Sequence, residues 1–272
     1  MSFDSKYFLD FIKPDCDRLN FIQIFLKKNG VESAVISLEG RKHVYVKFPQ
    51  NQYNPLFKIK TVVAHYDRFQ DSPGANDNSA AVYMLMLWAV KLSKQSDFHN
   101  VRLIFTDGEE SCPDGITSQG AFAIASLFKK LDIKDDVFVF DCMGCGDVPV
   151  LCENNIPQKA GNSFVKKMTI LEDKAQTIIK TAGNGKWFCL PCNYSDNASF
   201  IAQGIPAVAI TILPSNEVSD VLKNQTPKTW KNLHTKNDNI ENLWESSFSL
   251  SMKIFDLLAQ QKYPPPPPPP PP

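Results

Sequence analysis

The sequence has no excess of charge of either sign. Among its 272 residues, lysine and arginine together number 29, and aspartate and glutamate also number 29. A neutral chain offers no electrostatic attraction to nucleic acid or to an anionic membrane surface. We therefore expect neither nucleic acid nor a membrane as a partner.

Long apolar runs are also missing from the sequence. The longest run, residues 80–90, is too short to span a bilayer. Charged residues interrupt the apolar ones near Met1, so that segment does not have the pattern of a secretory signal. Seven cysteines, an odd number, indicate reduced thiols rather than a disulfide framework. Together these absences predict a cytoplasmic protein.

A run of prolines, residues 264–272, ends the chain, and neither an internal repeat nor a linker precedes it. The remaining residues, 1–263, with 43% hydrophobic residues in the chain, are sufficient for one α/β domain. Because proline lacks a backbone N–H, the tail should be an extended or disordered polyproline segment. Such a tail can bind an aromatic groove of a partner, although a solvated tail without a role in catalysis is the simpler interpretation.

The apolar pattern predicts strands that alternate with helices after an initial hairpin at residues 32–38 and 42–48. Further strands are expected at residues 61–64, 101–105, 137–140 and 207–212, and helices at residues 16–28, 79–92, 119–131, 164–181, 195–203 and 245–261. The first helix has Asp15 as its expected N-cap and Gly30 as its stop. This order predicts an α/β fold, a three-layer α/β/α sandwich with a mostly parallel central sheet.

Side chains that can bind metal follow three of these strands. His65 follows the first strand after the hairpin, Glu109 and Glu110 follow the next, and Asp141 follows the third. Ligands gather at the carboxyl ends of the strands in open α/β sheets, so these side chains should meet at one edge. Asp77 lies in a turn-rich loop that opens a helix, and it should project toward the same edge.

Imidazole and carboxylate ligands without thiolate suit a catalytic zinc site. With a further histidine, His234, the candidate ligands number five, the others being His65, Asp77, Glu110 and Asp141. One zinc normally takes fewer ligands from protein. Two metals about 3.5–4 Å apart, sharing one carboxylate, would use all five.

The neighbouring Glu109 and Glu110 must point in different directions if the backbone is extended there. One of them can bind metal while the other acts as general base. Each signal also has an ordinary structural explanation, because a glutamate pair is commonly solvated surface and a strand-ending aspartate is commonly a turn residue. The joint occurrence of these residues, in this order after these strands, favours a metal-dependent active site.

These segments resemble the di-zinc exopeptidases of the bacterial leucyl aminopeptidase type. The matching motifs are His65-Tyr66-Asp67, the loop at residues 72–78, Asp107-Gly108-Glu109-Glu110, Asp141 before Met143-Gly144, residues 195–200, and His234-Thr235 with Asp238 and Glu241-Asn242-Leu243. They extend over most of the chain, from about residue 61 to residue 243. The resemblance implies a single catalytic domain over residues 1–263 with the zinc-exopeptidase fold.

The resemblance also implies an arrangement of the ligands around two zinc ions. Asp77 would bridge both ions, His65 and Asp141 would complete one site, and Glu110 and His234 would complete the other.

The resemblance assigns roles to two further carboxylates. Glu109 would be the general base, and Asp67 would support His65 and the metal charge. The substrate would be a peptide or aminoacyl compound with a free N-terminus, whose amino group lies near one zinc. Metal would polarise the scissile carbonyl, and water would attack it. Many relatives have histidine where this chain has Asn197, so contacts in the substrate pocket are expected to differ.

Glutaminyl cyclases are the main alternative, since they share the fold and several of these motifs. They convert N-terminal glutamine to pyroglutamate, usually with a single zinc, and they also have a longer segment after the glutamate pair, as this chain has at residues 111–119. Cyclases tend to have tryptophan directly before the last histidine, where this chain has Leu233 and carries Trp230 three residues earlier. The loop at residues 72–78 is more typical of a peptidase, which favours the aminopeptidase.

Alternatives from other classes are weaker. Cys142 and Cys145 form one C-x-x-C pair, and Cys189 and Cys192 form another. A thiol oxidoreductase needs such a pair at a helix start, which the residues after Cys192 do not provide. The two pairs are also too far apart in the sequence for a shared structural zinc to be favoured. A non-catalytic binding protein on this scaffold would usually lose a ligand or the base, and this chain has both.

Overall fold

The computed structural model describes residues 5–154, 156–157 and 159–264, which form a mixed sheet between helices. The strands are β1 (Glu32–Leu38), β2 (Arg41–Lys47), β3 (Lys60–His65), β4 (Val101–Thr106), β5 (Asp136–Phe140), β6 (Val148–Cys152), β7 (Phe188–Leu190) and β8 (Ala207–Leu213). The helices are α1 (Ser5–Phe11), α2 (Arg18–Lys28), α3 (Ala80–Ser93), α4 (Gly120–Lys130), α5 (Asn162–Ala182), α6 (Asn197–Ala202), α7 (Val218–Leu222), α8 (Lys228–Asn232) and α9 (Glu245–Gln260).

The strand order in the sheet is β1-β2-β4-β3-β5-β8-β6-β7. The four central strands, β4, β3, β5 and β8, are parallel, as the sequence predicts. Antiparallel pairs occur toward both edges, where β2 joins β1 and β4, and β6 joins β8. The predicted hairpin is present in β1 and β2, and its turn residues Glu39 and Gly40 both have positive φ, as a type I′ turn requires.

Helices cover both faces of the sheet, because successive strand side chains point to opposite sides. In β3, Val62 and Ala64 pack into one core together with residues of α2, α3 and α9. The residue between them, Val63, packs into the other core with residues of α4 and α6. This arrangement is the predicted three-layer α/β/α sandwich.

The order in which strands are added to the sheet reverses at β3, which makes β3 a topological switch point. The chain passes from β3 to β4 on one side, and later places β5 on the other side of β3. Ligands of open α/β sheets bind at such a switch point, outside the carboxyl ends of the strands. His65 ends β3 and Asp141 directly follows β5, so two candidate ligands lie at the switch point.

Several elements differ from the sequence-based expectation. The first predicted helix begins at Arg18, and its N-cap is Asp17, whose side chain accepts a hydrogen bond from Asn20 N at 3.0 Å. The prediction of Asp15 as N-cap was wrong, because only a residue directly before the helix can reach the free amides of its first turn. Five elements, α1, β6, β7, α7 and α8, were not predicted. Strand β6 includes Pro149. Because proline has no backbone N–H to donate to a neighbouring strand, its presence argued against a strand there.

The end of the described chain docks at the edge of the sheet opposite the switch point. Lys58 N donates to the carbonyl oxygen of Tyr263 at 2.8 Å, beside the start of β3. The predicted polyproline tail lies outside the described residues except for Pro264. None of the described helices combines the length and the apolar character needed to cross a bilayer.

Candidate active site and metal centre

The five candidate ligands come together from five separate parts of the chain. His65 is the last residue of β3, and Asp141 directly follows β5. Glu110 lies in the loop after β4, His234 follows α8, and Asp77 lies in a turn before α3. Residues as far apart in sequence as 65 and 234 thus share one site at the carboxyl edge of the sheet.

The Asp77 carboxylate faces two pairs of side chains, one with each oxygen. Its Oδ1 is 3.2 Å from His65 Nε2, and the same nitrogen is 3.4 Å from Asp141 Oδ1. Its Oδ2 is 3.2 Å from His234 Nε2, which is 3.1 Å from Glu110 Oε2. The geometry thus contains two ligand groups that share Asp77, and each could hold one metal ion.

Zinc fits both groups by distance and by donor chemistry. Ligand atoms held at roughly 2.0–2.1 Å by a tetrahedral zinc lie about 3.3 Å from one another, close to the separations found here. Within the described residues, both ring nitrogens of His65, Glu110 Oε1 and Asp141 Oδ1 are buried without a hydrogen-bond partner of good geometry. Nitrogen and oxygen donors without sulfur are the usual ligand set of a catalytic zinc.

The charge balance of the cluster also favours bound cations. Burial and the nearby Asp77 together raise the pKa of Glu110 to about 8. Burial likewise raises the pKa of Glu109 to about 9, although the nearby His65 lowers it, and Asp141 adds a smaller increase. Buried carboxylates this close repel one another when ionised. Positive ions between them would remove that repulsion.

Asp67 connects His65 to the glutamate pair. Its Oδ1 lies 3.5 Å from His65 Nδ1, and its two oxygens accept hydrogen bonds from Glu109 N at 3.2 Å and Glu110 N at 2.9 Å. Burial alone would raise the pKa of Asp67, but the contact with His65 and the two backbone donors lower it. One carboxylate therefore orients an imidazole and fixes the backbone that carries both glutamates.

Glu109 and Glu110 point in different directions, as expected. Glu110 faces His234, whereas Glu109 Oε1 accepts a hydrogen bond from Gln119 Nε2 at 3.0 Å. The side-chain oxygen of Gln119, Oε1, in turn accepts a hydrogen bond from Ser199 Oγ at 2.6 Å. Sequence reasoning did not single out Gln119 or Ser199. Gln119 is 10 residues from Glu109 in the sequence, and Ser199 is 80 residues from Gln119, so no local pattern links them.

Asp77 projects from an irregular turn, Ala75–Ser79, and its φ of −108° and ψ of 92° are not helical. The prediction that it stands at a helix start was therefore wrong, since α3 begins three residues later. The peptide bond that follows Asp77 is cis. The Asp238 carboxylate accepts hydrogen bonds from Asn76 N at 2.7 Å and from Asp77 N at 3.1 Å. Asp238 thus joins the loop of His234 to the turn of Asp77.

Arg18 holds the same turn from the other side. Its buried guanidinium donates to Tyr66 O at 2.9 Å, Pro73 O at 3.1 Å and Ser79 Oγ at 2.8 Å. Burial lowers its pKa to about 10. Sequence reasoning missed this residue, although a signal existed. An arginine in the first turn of a helix opposes the helix dipole, so its presence there indicates another purpose.

His234 differs from His65 in its surroundings. Its side chain is 50% exposed, whereas that of His65 is 1% exposed. Its φ of 60° lies in the left-handed region, which is uncommon for a non-glycine residue. The ring stacks on Phe69 with a centroid distance of 4.7 Å and an interplanar angle of 13°. Phe69 therefore supports an imidazole that the sheet does not reach.

A cavity of about 470 Å³ opens beside the carboxylates. Away from the acidic cluster its wall is uncharged and includes Ile116, Thr211, Trp230 and Leu233. Ile116 belongs to the long segment after the glutamate pair, which therefore shapes the cavity. Asn197 is not part of this wall, and its side chain donates to Asn154 Oδ1 at 3.0 Å.

The cysteines do not form a redox centre of the usual kind. All seven are free thiols. Cys189 is on β7 and Cys192 follows it, while α6 begins only at Asn197, so the pair does not lie at a helix start. Partial burial raises the pKa of Cys189 to about 11, whereas a catalytic thiol needs a lowered pKa. Among the described residues, no candidate metal group contains a cysteine.

Solved structures with the same fold include both aminopeptidases and cyclases. The LapA aminopeptidase of Legionella pneumophila is 15% identical, with 94% of this chain and 69% of that chain covered at a TM-score of 0.70. A Zn-dependent exopeptidase from Parabacteroides distasonis is 15% identical, with 96% and 99% covered at a TM-score of 0.68. A glutaminyl cyclase from Porphyromonas gingivalis is 16% identical, with 93% and 96% covered at a TM-score of 0.65.

Sequence comparison gives a family for the greater part of the chain. The model of Peptidase family M28 matches residues 44–256. A search of curated proteins found no match. The family match and the zinc exopeptidase fold support a metal-dependent enzyme of the peptidase class and support zinc as its metal.

Proposed function

Because the chain belongs to Peptidase family M28, we propose that it is an aminopeptidase that uses two zinc ions to release the N-terminal residue of a peptide. One observation carries this proposal. The two oxygens of Asp77 face two separate pairs of candidate ligands, His65 with Asp141 and Glu110 with His234. Each pair could hold one zinc ion, whereas an enzyme that uses a single zinc needs only one of them.

In the proposed hydrolysis, the metal, Glu109 and Asp67 have separate roles. Bound zinc supplies Lewis acidity, which polarises a carbonyl group and acidifies water. The Glu109 carboxylate takes the proton from the attacking water and returns it to the nitrogen of the leaving peptide. Asp67 holds the Glu109 backbone and the His65 ring in register for this transfer.

The surroundings of the site support a peptide with a free N-terminus as the substrate. The cluster of carboxylates attracts the positive α-amino group of a peptide, which an internal peptide bond does not carry. The cavity beside the cluster takes the side chain of the N-terminal residue. Since the wall with Ile116, Trp230 and Leu233 is uncharged, we expect uncharged, medium-sized to large side chains to be preferred over acidic or basic ones.

Cyclisation of N-terminal glutamine is the second candidate. It is favoured by Trp230, which lies in the cavity wall and offers an aromatic surface next to the site. The same cavity wall would then surround the glutamine side chain. The long segment at residues 111–119, which contributes Ile116 to the wall, also fits this candidate.

The decisive experiment measures metal and reaction together. Purified full-length protein is analysed for zinc per chain and assayed with aminoacyl amides, with leucyl peptides and with glutaminyl peptides. We expect two zinc ions per chain and release of free N-terminal residues. A leucyl peptide with an acetylated N-terminus is the matched control and should not be cleaved. One zinc per chain with pyroglutamate as the sole product would reject the aminopeptidase in favour of the cyclase.

A further inference from the structure

The side chain of Glu109 is held by a short chain of hydrogen bonds outside the metal centre. Gln119 Nε2 donates to Glu109 Oε1 at 3.0 Å, and Ser199 Oγ donates to Gln119 Oε1 at 2.6 Å. Gln119 is 4% exposed and Ser199 is fully buried, so water does not compete freely for either contact. Within the described part of the chain, Gln119 is the one side chain that donates to the Glu109 carboxylate.

The orientation of the Gln119 amide follows from its two partners. An ionised carboxylate only accepts hydrogen bonds, so it requires the NH₂ group of the amide. In this orientation the amide carbonyl accepts a hydrogen bond from the Ser199 hydroxyl. A flipped amide would place its carbonyl oxygen against the carboxylate, where the two would repel each other. The Glu109 carboxylate, which only accepts, therefore selects the amide orientation, and the Ser199 hydroxyl holds the amide in it.

The segment at residues 111–119 leaves the glutamate pair and returns to it, so that Gln119 lies beside Glu109. The long segment that follows Glu110 ends where α4 begins, and there Gly120 N donates to Gly108 O at 3.2 Å. A Cβ atom at position 120 would overlap the carbonyl of Asp107, so this close approach requires glycine. The residue before Gly120 is consequently placed beside the glutamate that follows Gly108.

We propose that Gln119, itself held by Ser199, is a positioning residue for the general base. Asp67 fixes the backbone of Glu109, and Gln119 fixes the end of its side chain by binding one carboxylate oxygen. The other oxygen is then left to face the reacting water. A free glutamate side chain samples several rotamers, and restricting it before the reaction keeps the base in a near-attack geometry. This inference rests on the proposed hydrolysis with Glu109 as base.

The first test replaces Gln119 by a side chain of similar length that cannot donate. Gln119→Met should lower kcat by about tenfold to a hundredfold while KM and zinc content change little, as expected for a lost positioning contact. Ser199→Ala should change kcat in the same direction by less, and it provides a milder variant if Gln119→Met folds poorly. Gln52→Met is the matched control, because Gln52 is a buried glutamine that donates to Gln95 O away from the site. The control should leave kcat unchanged.

A second test asks whether Gln119 acts through Glu109. In an enzyme that already carries Glu109→Gln, the further change Gln119→Met should reduce kcat by less than about twofold, because contacts that work as a unit are not additive. If the double variant loses the full product of the two single effects, Gln119 acts elsewhere and the positioning role is rejected.

A third test does not depend on activity. Crystal structures of the wild type and of Gln119→Met should show one orientation of the Glu109 carboxylate in the first and two or more in the second. An unchanged single orientation in Gln119→Met would overturn the inference. The outcome is separate from that of the proposed function, since a wild type without hydrolase activity rejects the aminopeptidase, whereas these structures still decide what Gln119 does.

Discussion

The two ligand pairs on either side of Asp77 offer the same kinds of donor but are built in different ways. His65 and Asp141 stand at the ends of adjacent parallel strands, and the His65 side chain is 1% exposed. Glu110 and His234 stand on loops, and the His234 side chain is 50% exposed. We call the first the strand pair and the second the loop pair. The comparison shows that the proposed metal centre has one half at the ends of buried strands and one half on more exposed loops.

The difference has a physical cause in the backbone. The position of His65 is set by the hydrogen bonds of β3 to its neighbours, where His65 stands opposite Thr106 of β4. The loop of His234 has no strand partner, and single contacts hold it instead. Ser72 Oγ donates to Thr235 O at 3.0 Å, and the Asp238 carboxylate accepts the backbone amides beside Asp77. Loops held by a few polar contacts open more readily than sheet strands.

The largest expected effect comes from removing the residue that both pairs share. Asp77→Ala should abolish zinc binding in the strand pair and in the loop pair alike, and activity should fall more than about a thousandfold as the Lewis acid is lost. Elemental analysis of the purified variant measures this. Asp256→Ala, which removes a carboxylate that pairs with Lys91 on the surface, is the control and should bind zinc normally. Full zinc content in Asp77→Ala would contradict the shared role.

The next effect should separate chemistry from metal binding. Glu109→Gln removes the base but no member of either pair, so both should keep their zinc while kcat falls by about 10²–10⁴-fold. Parallel measurements of zinc per chain and of kcat test this. If the variant loses zinc as readily as activity, the roles of Glu109 and Glu110 have been exchanged.

A third prediction compares how much each of the two histidines contributes to the free energy of unfolding. A chelator is present, so that bound metal does not add to the stability. His65→Ala leaves buried carboxylates without their imidazole, so the free energy of unfolding should decrease by about 3 kcal/mol. His234→Ala removes a half-exposed ring and should cost less than about 1 kcal/mol. Urea unfolding of both variants and of the wild type measures the difference. Equal losses would show that burial does not distinguish the two pairs.

The smallest expected effect is on the zinc affinity of the loop pair alone. Phe69 stacks on His234, so Phe69→Leu should weaken zinc binding by the loop pair severalfold to about tenfold. Zinc binding by the strand pair should be unchanged. Competition with a coloured chelator resolves the two affinities. A uniform weakening of both would mean that Phe69 acts on the whole site rather than on one imidazole.

The strand pair was the easier half to predict from the sequence. His65 and Asp141 each follow a short apolar run, and the rule for carboxyl ends of parallel strands brings such residues together. The loop pair required more. Glu110 could be placed after a strand, but His234 follows no strand, and only its resemblance to a family motif indicated its position. The structure places the five candidate ligands close together, although the turn of Asp77 was expected to be a helix start.

The supporting contacts were largely beyond sequence reasoning. Gln119, Ser199 and Arg18 each contact partners that are distant in the chain, and only Arg18, a cation in the first turn of a helix, carried a signal of its own. The cap of α2 was misplaced by two residues, because neighbouring aspartates are equally good caps and only the path of the backbone chooses between them.

By itself, the sequence determined the α/β class, the parallel centre of the sheet and the set of chemical groups, because these follow from local periodicity and from which residue ends each strand. The tertiary structure alone decided which oxygen of Asp77 faces which pair, where the glutamates point, and that Gln119 donates to Glu109. Those features depend on angstrom-scale distances between residues far apart in the chain. Such distances are set by the packing of the whole domain and not by any local pattern.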